Sequence, residues 1–188
     1  AEQRRAAIAD LQETALRVAH LAATDQGRRI ASAGELLVAL AQLREVRRHD
    51  AARCSRLFGE VLRRHPLYLN LGAVKANGEL FCSALPIAEP INLADRAYFK
   101  RAVTSGDFAV GDYQIGRATR KASVNVAYPV FGEQGTTRGV VFAAIDLANL
   151  NQLVRAARLP ERSTFTVVDR QGTILVRHPD PERWVGRA

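Results

Sequence analysis

Two glycine turns constrain this chain more than any other feature. Ala76-Asn77-Gly78 stands between an alternating run, Tyr68 to Ala73, and an apolar run, Leu80 to Leu85. Asn-Gly favours the left-handed backbone of a tight turn, so the two runs read as an antiparallel hairpin. Downstream, Asp169-Arg170-Gln171-Gly172 separates Thr164–Val168 from Thr173–Val176. Setting Gly172 on Gly78 aligns Val168 with Val74, Ile174 with Leu80 and Leu175 with Phe81. The pattern predicts two copies of one sheet unit. A lone two-stranded hairpin is marginal in water. The second copy therefore calls for further strands, from beyond Ala188 or from elsewhere.

Between the hairpins, ADRAYFKRAV at 94–103 predicts a helix ending near Ser105-Gly106, with Asp95 as its N-cap. Strands are expected at Ala109–Tyr113, Ala122–Phe131 and Gly139–Asp146, the last two joined by a loop over Gly132–Arg138. A further helix, Leu147 to Arg158, leads to Pro160. Two strands, a helix and three strands make an antiparallel sheet with a helical cover, hence the α+β class.

The first third reads as helix. Ile8, Leu11, Ala15, Val18 and Ala22 step by three and four along one face. That seam suits either a partner helix or the protein's own core. A break is expected at Ala31–Glu35, where Ser32 and Glu35 match a capping box for a second helix through Leu43. His49 and Asp50 mark another break, with Asp50 capping a third helix that carries Cys54, Leu57, Phe58, Val61 and Leu62 on one face. Pro66 stops it, because the residue before a proline is pushed out of the helical region.

The formal charge is +8, and the 27 basic residues are scattered in runs no longer than two. A nucleic-acid binder concentrates such charge on one face, so that class is not expected. No apolar stretch reaches the roughly 18 to 20 residues of a membrane span. The chain starts at Ala1, which reads as a piece of something longer. Four scattered histidines and two cysteines, with no CxxC, argue against a zinc site, and no cofactor motif is present. Cys54 and Cys82 suit either one disulfide or two unrelated buried thiols. There is no GxSxG, HExxH, P-loop or dinucleotide glycine pattern, so catalysis by this domain is not expected.

Several pieces together resemble the periplasmic double-Cache sensor domains, PAS-like ectodomains of bacterial histidine kinases, diguanylate cyclases and chemoreceptors. They are the long N-terminal helix, Tyr68-Leu69-Asn70-Leu71-Gly72 before the turn, and Cys82-Ser83 after it. Asp95-Arg96-Ala97-Tyr98-Phe99, Ala127-Tyr128-Pro129-Val130 and Ala144-Ile145-Asp146-Leu147 complete the set. The resemblance implies an N-terminal helical segment (1–66), a membrane-distal ligand-binding domain (67–148) and part of a membrane-proximal domain (149–188). It implies flanking transmembrane helices outside this sequence, a periplasmic location, a homodimer through the N-terminal helix, and a cytoplasmic kinase or cyclase. It also favours a Cys54–Cys82 bridge. The alternative is a constitutive dimerisation ectodomain without a ligand.

The site follows from the same comparison. Arg96 stands at a helix start, where the backbone is already partly positive and Arg is disfavoured. Either it is solvated or an anion meets it there. The resemblance places Arg96, Tyr98 and Phe99 in the ligand cluster, with Tyr113 and Asp146 as later partners; on the next strand Asn125 and Tyr128 are candidates for extra contacts, of which alternation turns only one face to the pocket. A guanidinium fork suits a carboxylate, aromatic walls cover an apolar body, and an Asp at a strand end would hold an ammonium. The resemblance thus implies an organic acid or an amino acid as ligand.

Overall fold

The computed structural model describes residues 30–156 and 163–188. The expected seam from Ile8 to Ala22, and the end of the helix expected to reach Arg158 before Pro160, lie outside those residues.

Residues 30–41 form one helix, α1. The break expected at Ala31–Glu35 is absent, and Ser32 and Glu35 lie within helical backbone rather than at a cap. Packing overrides the local signal: Ala33, Leu37, Leu40 and Ala41 are all buried, a continuous stripe on one face. A short turn, α2 (Arg44–Arg47), follows. Helix α3 (Ala51–Arg64) begins as expected, with the Asp50 carboxylate accepting from the Arg53 amide at 3.2 Å. Cys54 and Phe58 are its buried residues.

The chain then builds β1 (Tyr68–Lys75), β2 (Leu80–Ser83), α4 (Ala97–Ser105), β3 (Ala109–Ile115), β4 (Ala122–Phe131) and β5 (Thr137–Asp146). These strands pair antiparallel in the order β2-β1-β5-β4-β3. Both faces are covered, and so β1 is buried from Asn70 to Val74 instead of alternating. Leu71, Ala73, Val126, Val141 and Ala143 point to the face packed by α1 and α3. Val74, Ala127, Val140 and Phe142 point to the other, against Tyr98, Phe99 and Ala102 of α4. Gly111 permits that close approach, since an added Cβ would meet the Tyr98 Cβ at 3.0 Å. Cys54 and Cys82 are bonded, tying α3 to β2 with 5.8 Å between their Cα atoms.

Helix α5 (Leu147–Ala156) leads to a second, two-stranded sheet, β6 (Phe165–Val168) with β7 (Ile174–His178), and then a short helix, α6 (Pro181–Trp184). Its turn repeats the first one bond for bond. Lys75 N donates to Glu79 O and Gly78 N to Lys75 O; Asp169 N donates to Thr173 O and Gly172 N to Asp169 O. Gly78 and Gly172 both have positive φ, 88° and 85°. In each copy a later segment also returns to the second strand, through Leu80 N to Ile91 O and Ile174 N to Arg187 O.

Candidate functional site

A cavity opens on the α4 face of the large sheet. The space between its walls, open solvent at the mouth included, is about 320 Å³. The floor is a row across three neighbouring strands: Asn70 on β1 pairs with Ala144 on β5, which pairs with Asn125 on β4. Directly paired residues share a face, so the two amides flank a methyl. Tyr98 of α4 and Phe142 form the inner wall, their rings 5.5 Å apart. Leu80, Ile91 and Leu93 form an apolar side. Gln114, Gly116, Arg117, Ala118 and Thr119, from the end of β3 and the loop beyond it, close the remaining side.

The polar groups are held from within. The Asn70 amide donates to Ser83 Oγ at 3.0 Å, and its oxygen accepts from the Leu85 amide at 3.3 Å. Asn125 Oδ1 accepts from Ser123 Oγ at 2.9 Å. Burial pushes the Tyr98 phenol well above its ordinary pKa, against a hydrogen bond with Asn125 and the nearby Arg96 and Arg117 charges. Tyr98 therefore stays a neutral hydroxyl.

At the mouth, Arg117 grips the Asp95 carboxylate through two nitrogens, at 2.6 and 2.9 Å, and also donates to the Asn92 carbonyl. This bond ties the loop after β3 to the segment before α4. The Arg117 hydrogen bond holds the Asp95 carboxyl below its ordinary value, against a smaller desolvation cost.

Only two of the six residues expected in the site, Tyr98 and Asn125, line the cavity. Arg96 lies beside it rather than in its wall. It takes the N-cap position of α4 expected for Asp95, which is bonded to Arg117 instead. Its guanidinium approaches the Ile115 carbonyl at 3.5 Å, and its Nε is buried with no acceptor. Phe99 packs in the core with Leu80, Leu93 and Ala102. Asp146 accepts from the Ala148 amide at 2.8 Å and so caps α5. Tyr113 faces away, joining Val124, Leu147, Val154 and Leu175 under the second sheet.

The reason for the last correction is a β-bulge. The register of β3 on β4 shifts between Val110 and Tyr113. Without it, alternation from Ala109 would aim Tyr113 at the cavity. One extra residue exchanges the faces, so Tyr113 pairs with Val124 and Gln114 with Ser123, on the cavity side. Sequence reasoning missed Asn70, Gln114, Arg117 and Ala144 as wall residues. Asn70 alone carried a local signal, a polar residue within a strand otherwise apolar.

Among the described residues, no group of His, Cys, Asp or Glu could hold a metal, and no helix is long and apolar enough to cross a membrane.

The fold has relatives. The chain is similar to the ligand-binding domain of the Pseudomonas fluorescens chemoreceptor CtaA in complex with L-isoleucine, at 22% identity and TM-score 0.75, over 99% of this chain and 75% of that one. It is similar to the ligand-binding domain of the Pseudomonas aeruginosa amino acid chemoreceptor PctC in complex with GABA, at 21% identity and TM-score 0.71, over 94% and 77%. A third is the sensor domain of the V. cholerae histidine kinase DctB, at 16% identity and TM-score 0.65, over 90% and 70%. Comparison with curated proteins gives no match. The Cache-domain family model covers residues 1–185, and on that match this chain belongs to the Cache-domain family.

Proposed function

We propose that the chain is the extracytoplasmic sensing region of a transmembrane receptor, and that its cavity binds a small carboxylate. Residues 67–148 act as the distal ligand-binding domain and 149–188 as part of a proximal one, with signal passing to a cytoplasmic histidine kinase or diguanylate cyclase. The carrying observation is the cavity itself. Asn70 and Asn125, nearly fully buried, lie on its floor. Each amide is held by bonds within the protein and keeps one N–H that a ligand could take up. Arg117 is paired with Asp95, whereas Arg96 has a buried Nε with no acceptor, and this uncompensated guanidinium beside the space favours an anion. The Cys54–Cys82 bond favours an oxidising compartment. Cache domains of known receptors are sensor modules, which supports a role without catalysis.

The test is thermal denaturation and isothermal titration against a panel of small carboxylic acids. At least one is expected to raise the melting temperature, and Asn125→Ala to weaken its binding by about tenfold, the loss of one hydrogen bond to a charged group. If none does, the cavity is not a carboxylate site. The alternative, a dimerisation ectodomain without a ligand, is then the better reading.

A further inference from the structure

The cavity wall is chemically one-sided. Among the described residues that line it, Arg117 alone is formally charged and none is Asp or Glu. Two acids outside the lining each hold a bond of their own, and Asp146 pairs with Ser123 at the end of the same face. Asp95 is bonded to Arg117 with its side chain 59% exposed, and Asp146 caps α5. Arg96, Arg117 and Asp95 together leave one positive charge beside the space. The floor points the same way. The Asn70 oxygen already accepts from the Leu85 amide and Ser83 Oγ, and the Asn125 oxygen from Ser123 Oγ. Each amide nitrogen also has a partner, Ser83 Oγ for Asn70 and Tyr98 for Asn125, which leaves one N–H on each. Between them, at the centre of the row, stands the methyl of Ala144.

An ammonium among these lining residues would meet no opposite charge in the wall. Burying an unpaired charge costs several kcal/mol. A carboxylate, a hydroxyl or a keto oxygen meets donors instead. Resting on the sensor reading above, we propose that this cavity selects small hydroxy- or keto-carboxylates and rejects the corresponding α-amino acids, with Ala144 as the specificity-determining position. The physical basis is the one that makes buried polar sites discriminate strongly: the wrong ligand leaves groups unpaired.

Matched pairs test this on the 188-residue chain. L-Lactate against L-alanine and L-malate against L-aspartate differ only in a hydroxyl for an ammonium. Titration calorimetry is expected to give at least tenfold tighter binding for one hydroxy acid than for its amino partner. Ala144→Asp places an acid between Asn70 and Asn125, and is expected to reverse that preference. Equal or tighter binding of the amino acids by the unmodified chain overturns the inference and leaves the carboxylate reading standing. Lactamide, which lacks the charge, separates the two: binding as tight as that of lactate overturns the carboxylate reading itself. Binding of none of the five overturns both. The comparison on the unmodified chain decides the matter even if Ala144→Asp does not fold.

Discussion

Tyr113 and Gln114 are adjacent in sequence and belong to different parts of the molecule. Gln114→Ala is expected to weaken ligand binding with little change in stability, because it alters the cavity wall. Tyr113→Ala is expected to leave binding unchanged and to cost about 1 to 2 kcal/mol, as a half-buried aromatic lost from the second cluster. Calorimetry and denaturant titration of both variants separate the two effects. Asp95 makes a pH prediction. Its carboxyl is held below the ordinary value by Arg117, so the bond's stabilisation is complete above about pH 4 and is lost as pH falls through the lower, folded value. The melting temperature of the native chain should therefore fall more steeply below pH 4 than that of Asp95→Asn. Identical slopes would show that the pair contributes nothing, as many exposed pairs do.

At the scale of elements, the sheet is closed on one side by helices bound through a disulfide and on the other by α4. The Cys54–Cys82 bond joins residues 28 apart. In the chain-entropy view it stabilises by about 3 to 4 kcal/mol. Replacing both cysteines with serine should lower the free energy of unfolding by that order in urea. A change below 1 kcal/mol would mean that packing of Phe58 and its neighbours already holds α3 in place. Much of this level was legible in sequence. Both hairpins, the Asp50 cap and the Gly106 end of α4 each rest on local chemistry, a turn residue or a cap, and each is present. The expected break near Ser32 failed because burial of Leu37 and Leu40 outweighs a cap worth about 1 kcal/mol.

Across the whole molecule, the second sheet is joined to the strand that carries the site. The Asp169 carboxylate accepts from the Tyr113 amide at 3.1 Å, and Gln171 donates to Asp112, which is also paired with Arg101 of α4. These bonds span 56 and 59 residues of chain. They meet β3 at its bulge, next to Gln114. Asp169→Ala is expected to speed amide hydrogen exchange in residues 165–178 while leaving β1 and β5 protected. Asp169 also organises its own turn, through the Gln171 and Thr173 amides. Gln171→Ala therefore serves as the milder variant. If exchange rises equally throughout the five-stranded sheet, the two sheets unfold as one unit.

Local chemistry in the chain determined the elements: turn glycines, caps and apolar runs act within a few residues, and so they are readable in order. The family pattern around Asp95-Arg96-Ala97-Tyr98-Phe99 likewise located α4 and the cavity side of the sheet. The lining of the cavity was decided only by the tertiary fold. A one-residue bulge chose Gln114 over Tyr113, a helix cap claimed Asp146, and an ion pair across 22 residues drew Arg117 to the mouth. Each of these is a contest between partners distant in sequence, and a linear pattern does not carry the distances that settle it.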